Sequence, residues 1–174
     1  EDNKIGKLKI ESGELTIETL YAANLTNDGT LSTKTVTVTQ NITNNSEITS
    51  DTVLANNDLE NNGNLNAATS VQANNITNSG SMNVVTTNVG GNLNDNGTWL
   101  ADGEINFVGT GDQSFTPNGN TSYKTINVTK TSGTFSVTKD LKAGTINLLN
   151  ATQTTFNGIV QITSLSTNAN SGNI

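Results

Sequence analysis

Residues 24–31 read NLTNDGTL, and residues 41–48 read NITNNSEI. DLENNGNL follows at 58–65, NITNSGSM at 75–82 and NLNDNGTW at 92–99, each copy starting seventeen residues after the one before. Aligning the copies gives one apolar column at Leu15, Leu31, Ile48, Leu65, Met82 and Trp99, and a second at Leu25, Ile42, Leu59, Ile76 and Leu93. Between them lie shorter patches, Leu20 and Ala22, Val36 and Val38, Val53 and Ala55, Val71 and Ala73, then Val89, each alternating with the period of two that marks a strand with one buried face. Self-similarity at so short a fixed period is the signature of a solenoid, whose units stack because none can bury its apolar face alone.

Seventeen residues at ~3.3 Å each make a contour of roughly 56 Å, enough for one coil of two or three short strands. The expected fold is therefore all-β: a parallel β-helix (β-solenoid) with 17-residue coils. Polar columns fit it. Asn27, Asn44, Asn61, Asn78 and Asp95 form one, and Asn24, Asn41, Asp58, Asn75 and Asn92 another. Stacked amides can hydrogen-bond from coil to coil, and Asn tolerates the left-handed backbone of tight turns. Gly29, Gly63, Gly80 and Gly97, with Ser46 as the exception, follow where the chain bends.

Past Trp99 the period lengthens. Phe115, Phe135 and Phe156 are twenty and twenty-one residues apart, and the triplets INF at 105, INV at 126 and INL at 146 are twenty-one and twenty apart. The coils are thus expected to widen to 20–21 residues in the C-terminal half. The division this predicts is a lead-in or partial coil over 1–12, a regular solenoid over 13–100, and wider coils continuous with it over 101–174. Nine coils at ~4.8 Å make a rod of roughly 43 Å. The start EDNKIGKLKI and the ending NANSGNI are abrupt, which points to a monomeric fragment of a longer chain whose export signal lies elsewhere.

Composition narrows the chemistry. Only 32% of the 174 residues are hydrophobic and 4% aromatic, too few for one central globular core. The net charge of −7, from eight Lys and no Arg, argues against nucleic acid or an anionic membrane as partner. No stretch is apolar enough to insert in a bilayer as a helix. Without Cys or His, thiolate and imidazole metal sites and the usual nucleophile–base pairs cannot be built.

Three chemical readings remain to be weighed. Asp102, Glu104 and Asp112 could meet as a carboxylate cluster for acid–base work on a polysaccharide, or form a solvated acidic edge. Asn92, Asn94, Asn96 and Gly97 imitate the start of a calcium loop, but its twelfth position is Gly103 rather than Glu. A Thr column at Thr19, Thr35, Thr52, Thr69 and Thr86 reads as an ice-binding rank or as β-propensity with stacked hydroxyls; the column two places on, Tyr21, Thr37, Leu54, Val71 and Asn88, supplies no second Thr rank. Asn-x-Ser/Thr triplets begin at Asn24, Asn41, Asn44, Asn75, Asn96, Asn120, Asn127 and Asn150, several of them within the expected ladders. No catalytic residue, cofactor site or metal site is assigned. The insertion TPNGNTS at 116–122 holds the only proline and reads as a loop between coils. Pro117, Asn118, Gly119, Asn120, Thr121, Ser122 and Tyr123 are accordingly the expected ligand contact, since loops that interrupt a solenoid often carry binding.

The segment NLTNDGTLSTKTVTVTQNITNN resembles the repeats of filamentous-haemagglutinin-type exoproteins and autotransporter passengers, where N-L-T-N-x-G-x-L returns once per β-helical coil. GTGDQSFTPNGNTSYKTINVTKTSGTFSVTKDLKAGTINLL is similar to stretches of very large repetitive bacterial surface proteins. This resemblance implies a stalk or adhesive segment of a secreted, non-enzymatic cell-surface adhesin. It would lie outside the bacterium, with host or extracellular-matrix protein or glycan as partner. A polysaccharide-acting β-helix enzyme or phage tail-spike segment, and an ice-binding solenoid, are the alternatives.

Overall fold

The computed structural model describes residues 5–99, 102–150 and 153–168. The first four residues and the last six, on which the abrupt ends fall, lie outside them, as does Thr152 of the triplet at Asn150.

Every regular element among the described residues is a β-strand, and every pairing between strands is parallel. The described residues form a parallel β-solenoid of about nine coils. One column runs its full length through Leu8, Leu25, Ile42, Leu59, Ile76, Leu93, Phe115, Val137 and Phe156. Each coil has three strand positions, which stack into three faces. Residues 35–38, 42–44 and 47–50 illustrate the first, second and third in turn. Long strands such as Thr19–Asn27, Glu47–Ala55, Asn64–Ala73 and Ser81–Val89 turn a corner and serve two faces. Alternation decides which side chains enter: Thr35–Val38 buries both valines and turns both threonines outward.

Both apolar columns legible in the repeat form as expected. Leu15, Leu31, Ile48, Leu65, Met82 and Trp99 line the third face. The first face buries Leu20, Val36, Val53, Val71, Thr87, Ile105, Ile126 and Ile146 in one file. The INF, INV and INL triplets stack residue for residue.

Two registers differ from the spacing-based reading. The strand Asn64–Ala73 carries a bulge, so Ser70, not Thr69, stands between Thr52 and Thr86, and Gln72, not Val71, between Leu54 and Asn88. The extra residue is accommodated where the strand turns from the third face to the first. The three Phe residues are not one column either. Phe115 stacks on Val137, while Phe135 sits between Gln113 and Thr154. The offset is two residues, which preserves strand alternation, so Phe135 is still buried.

Widening occurs at two corners. From Leu93 to Phe115 and from Phe115 to Val137 the coil takes 22 residues, and from Val137 to Phe156 it takes 19. The corner between first and second faces grows from residues 39–41 to 108–112, and that between second and third faces from 45–46 to 117–121. Larger side chains fill the added width. Phe107 follows Val89 in register, and its ring lies 5.6 Å from that of Phe115 and 4.6 Å from that of Phe135.

Candidate functional site

The corner motif that repeats is an internal hydrogen-bond ladder. Asn27, Asn44, Asn61, Asn78 and Asp95 are fully buried at the corner between the second and third faces. Each amide nitrogen donates to the side-chain oxygen one coil on: Asn27 to Asn44 at 2.9 Å, Asn44 to Asn61 at 2.8 Å, Asn61 to Asn78 at 2.9 Å and Asn78 to Asp95 at 2.8 Å. The same nitrogens also donate to the main-chain carbonyls of Glu47, Asn64, Ser81 and Thr98. These asparagines do not use left-handed backbone; Asn150 is the one non-glycine residue with positive φ among the described residues. The corner glycines serve close approach instead. A Cβ on Gly80 would lie 2.0 Å from the Gly63 carbonyl oxygen, and one on Gly97 2.1 Å from that of Gly80.

The second polar column works differently. Asn24, Asn41, Asn75 and Asn92 each offer a side-chain oxygen to a main-chain N–H of the next coil, at Asn41, Asp58, Asn92 and Ser114. The side-chain oxygen of Asn92, first of the residues that imitate a calcium loop, is thus engaged by Ser114. Across the first face runs a further ladder, in which Asn106 donates to Asn88, Asn127 to Asn106 and Asn147 to Asn127.

The loop 117–122 closes the buried ladder. Asp95 carries only acceptors, so it ends the relay. Tyr123 donates its hydroxyl proton to Asp95 Oδ2 at 2.5 Å, Gly97 N–H reaches Oδ1 at 3.2 Å, and Asn118 N–H donates to the tyrosine oxygen at 3.0 Å. Asn118 Nδ2 also holds the Gly97 carbonyl oxygen at 2.6 Å. The Tyr123 ring, 2% exposed, meets Trp99 and Phe115 edge-on at 6.2 and 5.1 Å. Burial pushes the Asp95 carboxyl above its ordinary value, against the pull of hydrogen bonds from Tyr123, Asn78 and Gly97. Burial, then the neighbouring Asp95 charge, raises the Tyr123 hydroxyl. Of the seven expected contact residues, Pro117 and Tyr123 are therefore buried, Asn118 and Thr121 half-buried, and Gly119, Asn120 and Ser122 exposed.

A second interior cluster has no counterpart in the sequence reading. Lys130 is fully buried, and its ammonium donates to the carbonyl oxygens of Gly109 and Gly111 at 3.1 and 2.6 Å and to Gln113 Oε1 at 2.8 Å. Gln113 in turn donates to the carbonyls of Val89 and Gly91 and accepts from Gly109 N–H. The pair fills the enlarged corner between first and second faces. Burial lowers the Lys130 ammonium below its ordinary value, partly offset by Asp112.

The acidic trio is dispersed. Asp102 precedes the strand Glu104–Phe107, and Glu104, which heads it, accepts from Asn127 at 3.2 Å. Asp112 lies before Gln113–Thr116, where the N–H and hydroxyl of Thr134 bind its Oδ1 at 2.8 and 3.0 Å and hold the carboxyl below its ordinary value. Among the described residues no group of three acidic side chains is placed to hold a metal ion. The Thr rank reads Thr19, Thr35, Thr52, Ser70, Thr86, Glu104, Thr125, Thr145 and Ser164, and its neighbour Tyr21, Thr37, Leu54, Gln72, Asn88, Asn106, Asn127, Asn147 and Ser166. One surface depression, of about 320 Å³, follows the corner between third and first faces past Ser50, Asp51, Ala68 and Val85.

No protein-family model matches the chain, and neither a curated protein nor a solved structure is similar enough to count as a match.

Proposed function

We propose that the chain is a non-enzymatic rod segment of a secreted bacterial surface adhesin, holding a binding region away from the cell and touching host protein or glycan through the tip of the loop 117–122. The observation that carries this reading is where the recurrent polar side chains are spent. The buried Asn27–Asp95 ladder, the Asn24–Asn92 column and the Asn88–Asn147 ladder bond coil to coil rather than converge on an enclosed pocket. Such an arrangement resists bending and unwinding along the axis, which a stalk needs and a catalytic cleft does not.

The contact surface narrows to Gly119, Asn120 and Ser122, because Asn118 and Tyr123 hold the loop base. Deleting the loop would also remove the closure of the Asp95 corner, so the appropriate variant is the double change Asn120→Ala and Ser122→Ala. It should fold normally and lose binding to host cells or a matrix-glycan panel. Undiminished binding would remove the loop from the proposal. Turnover of any polysaccharide that disappears in Asp102→Ala or Glu104→Ala would overturn the non-enzymatic reading itself.

A further inference from the structure

Asparagine followed by glycine is a pair prone to modify itself, because the glycine N–H, with no side chain beside it, can reach the asparagine's own carboxamide carbon. The reaction needs two free partners: a side chain that can swing back over the main chain, and a glycine N–H that is not donating elsewhere. The sequence holds four such pairs, Asn62–Gly63, Asn96–Gly97, Asn118–Gly119 and Asn157–Gly158. All four fall at the corner between the second and third faces, so only their bonding separates them.

Hydrogen bonds disable three of them. Gly63 N–H donates to the Asn44 carbonyl at 3.1 Å, and the Asn62 amide donates to Asn45 Oδ1 and to Glu60 Oε1, both at 3.0 Å. Gly97 N–H donates to Asp95 Oδ1 at 3.2 Å, while Asn118 holds the Gly97 carbonyl oxygen. Asn118 has both side-chain atoms engaged, Nδ2 with the Gly97 carbonyl at 2.6 Å and Oδ1 with Asn120 N–H at 3.1 Å. Asn157–Gly158 carries neither constraint. Both residues are exposed, and the Asn157 N–H, bonded to the Val137 carbonyl at 2.9 Å, fixes only the main chain. Among the described residues, neither the Asn157 carboxamide nor the Gly158 N–H has a hydrogen-bond partner.

We propose that Asn157 is a self-modification site, where the folded rod converts asparagine to aspartate and isoaspartate. Gly158 N attacks Asn157 Cγ; the N–Cγ bond forms, the Cγ–Nδ2 bond breaks, and Nδ2 leaves as ammonia with the proton that Gly158 gives up. Water then opens the cyclic imide at either carbonyl, giving aspartate, or isoaspartate with the main chain rerouted through Cγ. The isoaspartyl product does not fit the corner. Gly158 is packed so closely that a Cβ on it would lie 2.6 Å from Asp140 N and 2.7 Å from Asp140 Oδ1, so an added main-chain atom and a new carboxylate crowd that contact. Two bonds seat the coil there, Ile159 N–H to Asp140 Oδ1 at 2.8 Å and Leu141 N–H to the Ile159 carbonyl at 2.9 Å. Their loss would loosen the start of the strand Val160–Thr167 from Leu141–Leu149, making Asn157 a slow clock for this coil. The assignment rests on exposure and hydrogen bonding and stands apart from the adhesin proposal.

The test incubates the folded full chain in mildly alkaline buffer, beside the chain unfolded in guanidinium chloride. Each Asn–Gly pair is followed by tandem mass spectrometry of its peptides, through the mass gained when NH2 is replaced by OH. Unfolded, all four pairs should convert at similar rates. Folded, Asn157 should keep roughly that rate while the other three slow by about tenfold or more. Amide exchange at Leu141 and Ile159 should quicken as isoaspartate accumulates. Asn157→Gln, whose longer side chain disfavours the ring, should abolish both changes and keep the β-sheet circular dichroism of the parent. Slowing of Asn157 equal to that of the other three, or comparable conversion at Asn62, Asn96 or Asn118 in the folded chain, would overturn the assignment. Unaltered exchange at Leu141 and Ile159 after full conversion would overturn the loosening of the strand.

Discussion

The 17-residue coils and the wide coils bury polar groups in opposite ways. In the first region one solution is repeated: an Asn at the same corner, each amide donating to the side-chain oxygen one coil on, from Asn27, whose own side-chain oxygen is buried without a partner, to the acceptor Asp95. In the second, each enlarged corner has a solution used once, Asp95 with Tyr123 and Asn118 at one and Gln113 with Lys130 at the other. Repetition makes identical neighbours sufficient, because an amide is its own complement. Once the coil lengthens, the corners no longer superpose, and complementary groups of different kinds must close them. The ladder therefore needs a terminator, and Asp95, an acceptor without a donor, is suited to that place.

This difference has measurable consequences. The largest effect should come from Ile76→Asp, which puts an unpaired carboxylate in the central apolar column. It should cost about 5 kcal/mol or unfold the rod outright in urea titrations. Asn61→Ala, in the middle of the ladder, leaves an amide proton of Asn44 and the side-chain oxygen of Asn78 without partners. A loss of about 3 kcal/mol is expected, against ~0.5–1 kcal/mol for Asn106→Ala in the half-buried ladder on the first face. Lys130→Met removes the ammonium from the carbonyl oxygens of Gly109 and Gly111, leaves Gln113 Oε1 with only the Gly109 N–H, and also relieves a buried charge, so about 2 kcal/mol is expected. Its effect should be less than additive with that of Gln113→Leu, since the two share Gln113 Oε1.

Thr87→Val should act in the other direction. Thr87 stands in an otherwise aliphatic file with its hydroxyl oxygen buried and unpartnered, and replacing it should raise stability by about 1 kcal/mol in the same titrations. The smallest effect concerns pH. The folded chain holds the Asp95 proton more readily than the unfolded chain, because burial raises this carboxyl. This group's contribution to stability therefore falls as pH rises from the unfolded value through the folded titration, and recovers on acidification. The stability of the parent relative to Asp95→Asn should accordingly increase as pH falls from 7 towards 4; a difference that is flat or moves the other way contradicts the assignment.

How much of this was legible in the sequence follows the same division. Where every coil is nearly the same length, spacing equals register, so the columns at Leu25 and Leu31 and the Asn27 ladder could be read directly. The bulge at Ala68–Thr69 broke that equality for one coil and misplaced Thr69 and Val71. In the wide coils, insertions at two corners made Phe115, Phe135 and Phe156 look periodic while shifting Phe135 by two residues. Tyr123 was read with the loop that precedes it, although it belongs to the strand Ser122–Thr129 and points inward. Lys130 gave no sequence signal. Two of its three partners are main-chain carbonyls, which every residue possesses, and a lysine at a strand end is ordinarily solvated.

The central claim is that NLTNDGTL and its copies are structural corners tied to one another, not independent sites. Amide hydrogen exchange on Asn61→Ala tests it most directly. The account predicts lost protection at the corners near residues 44–47 and 78–81 as well as at 61–64, with the wide coils beyond Phe115 largely unaffected. Loss confined to 61–64, with the neighbouring corners as protected as in the parent, would contradict it.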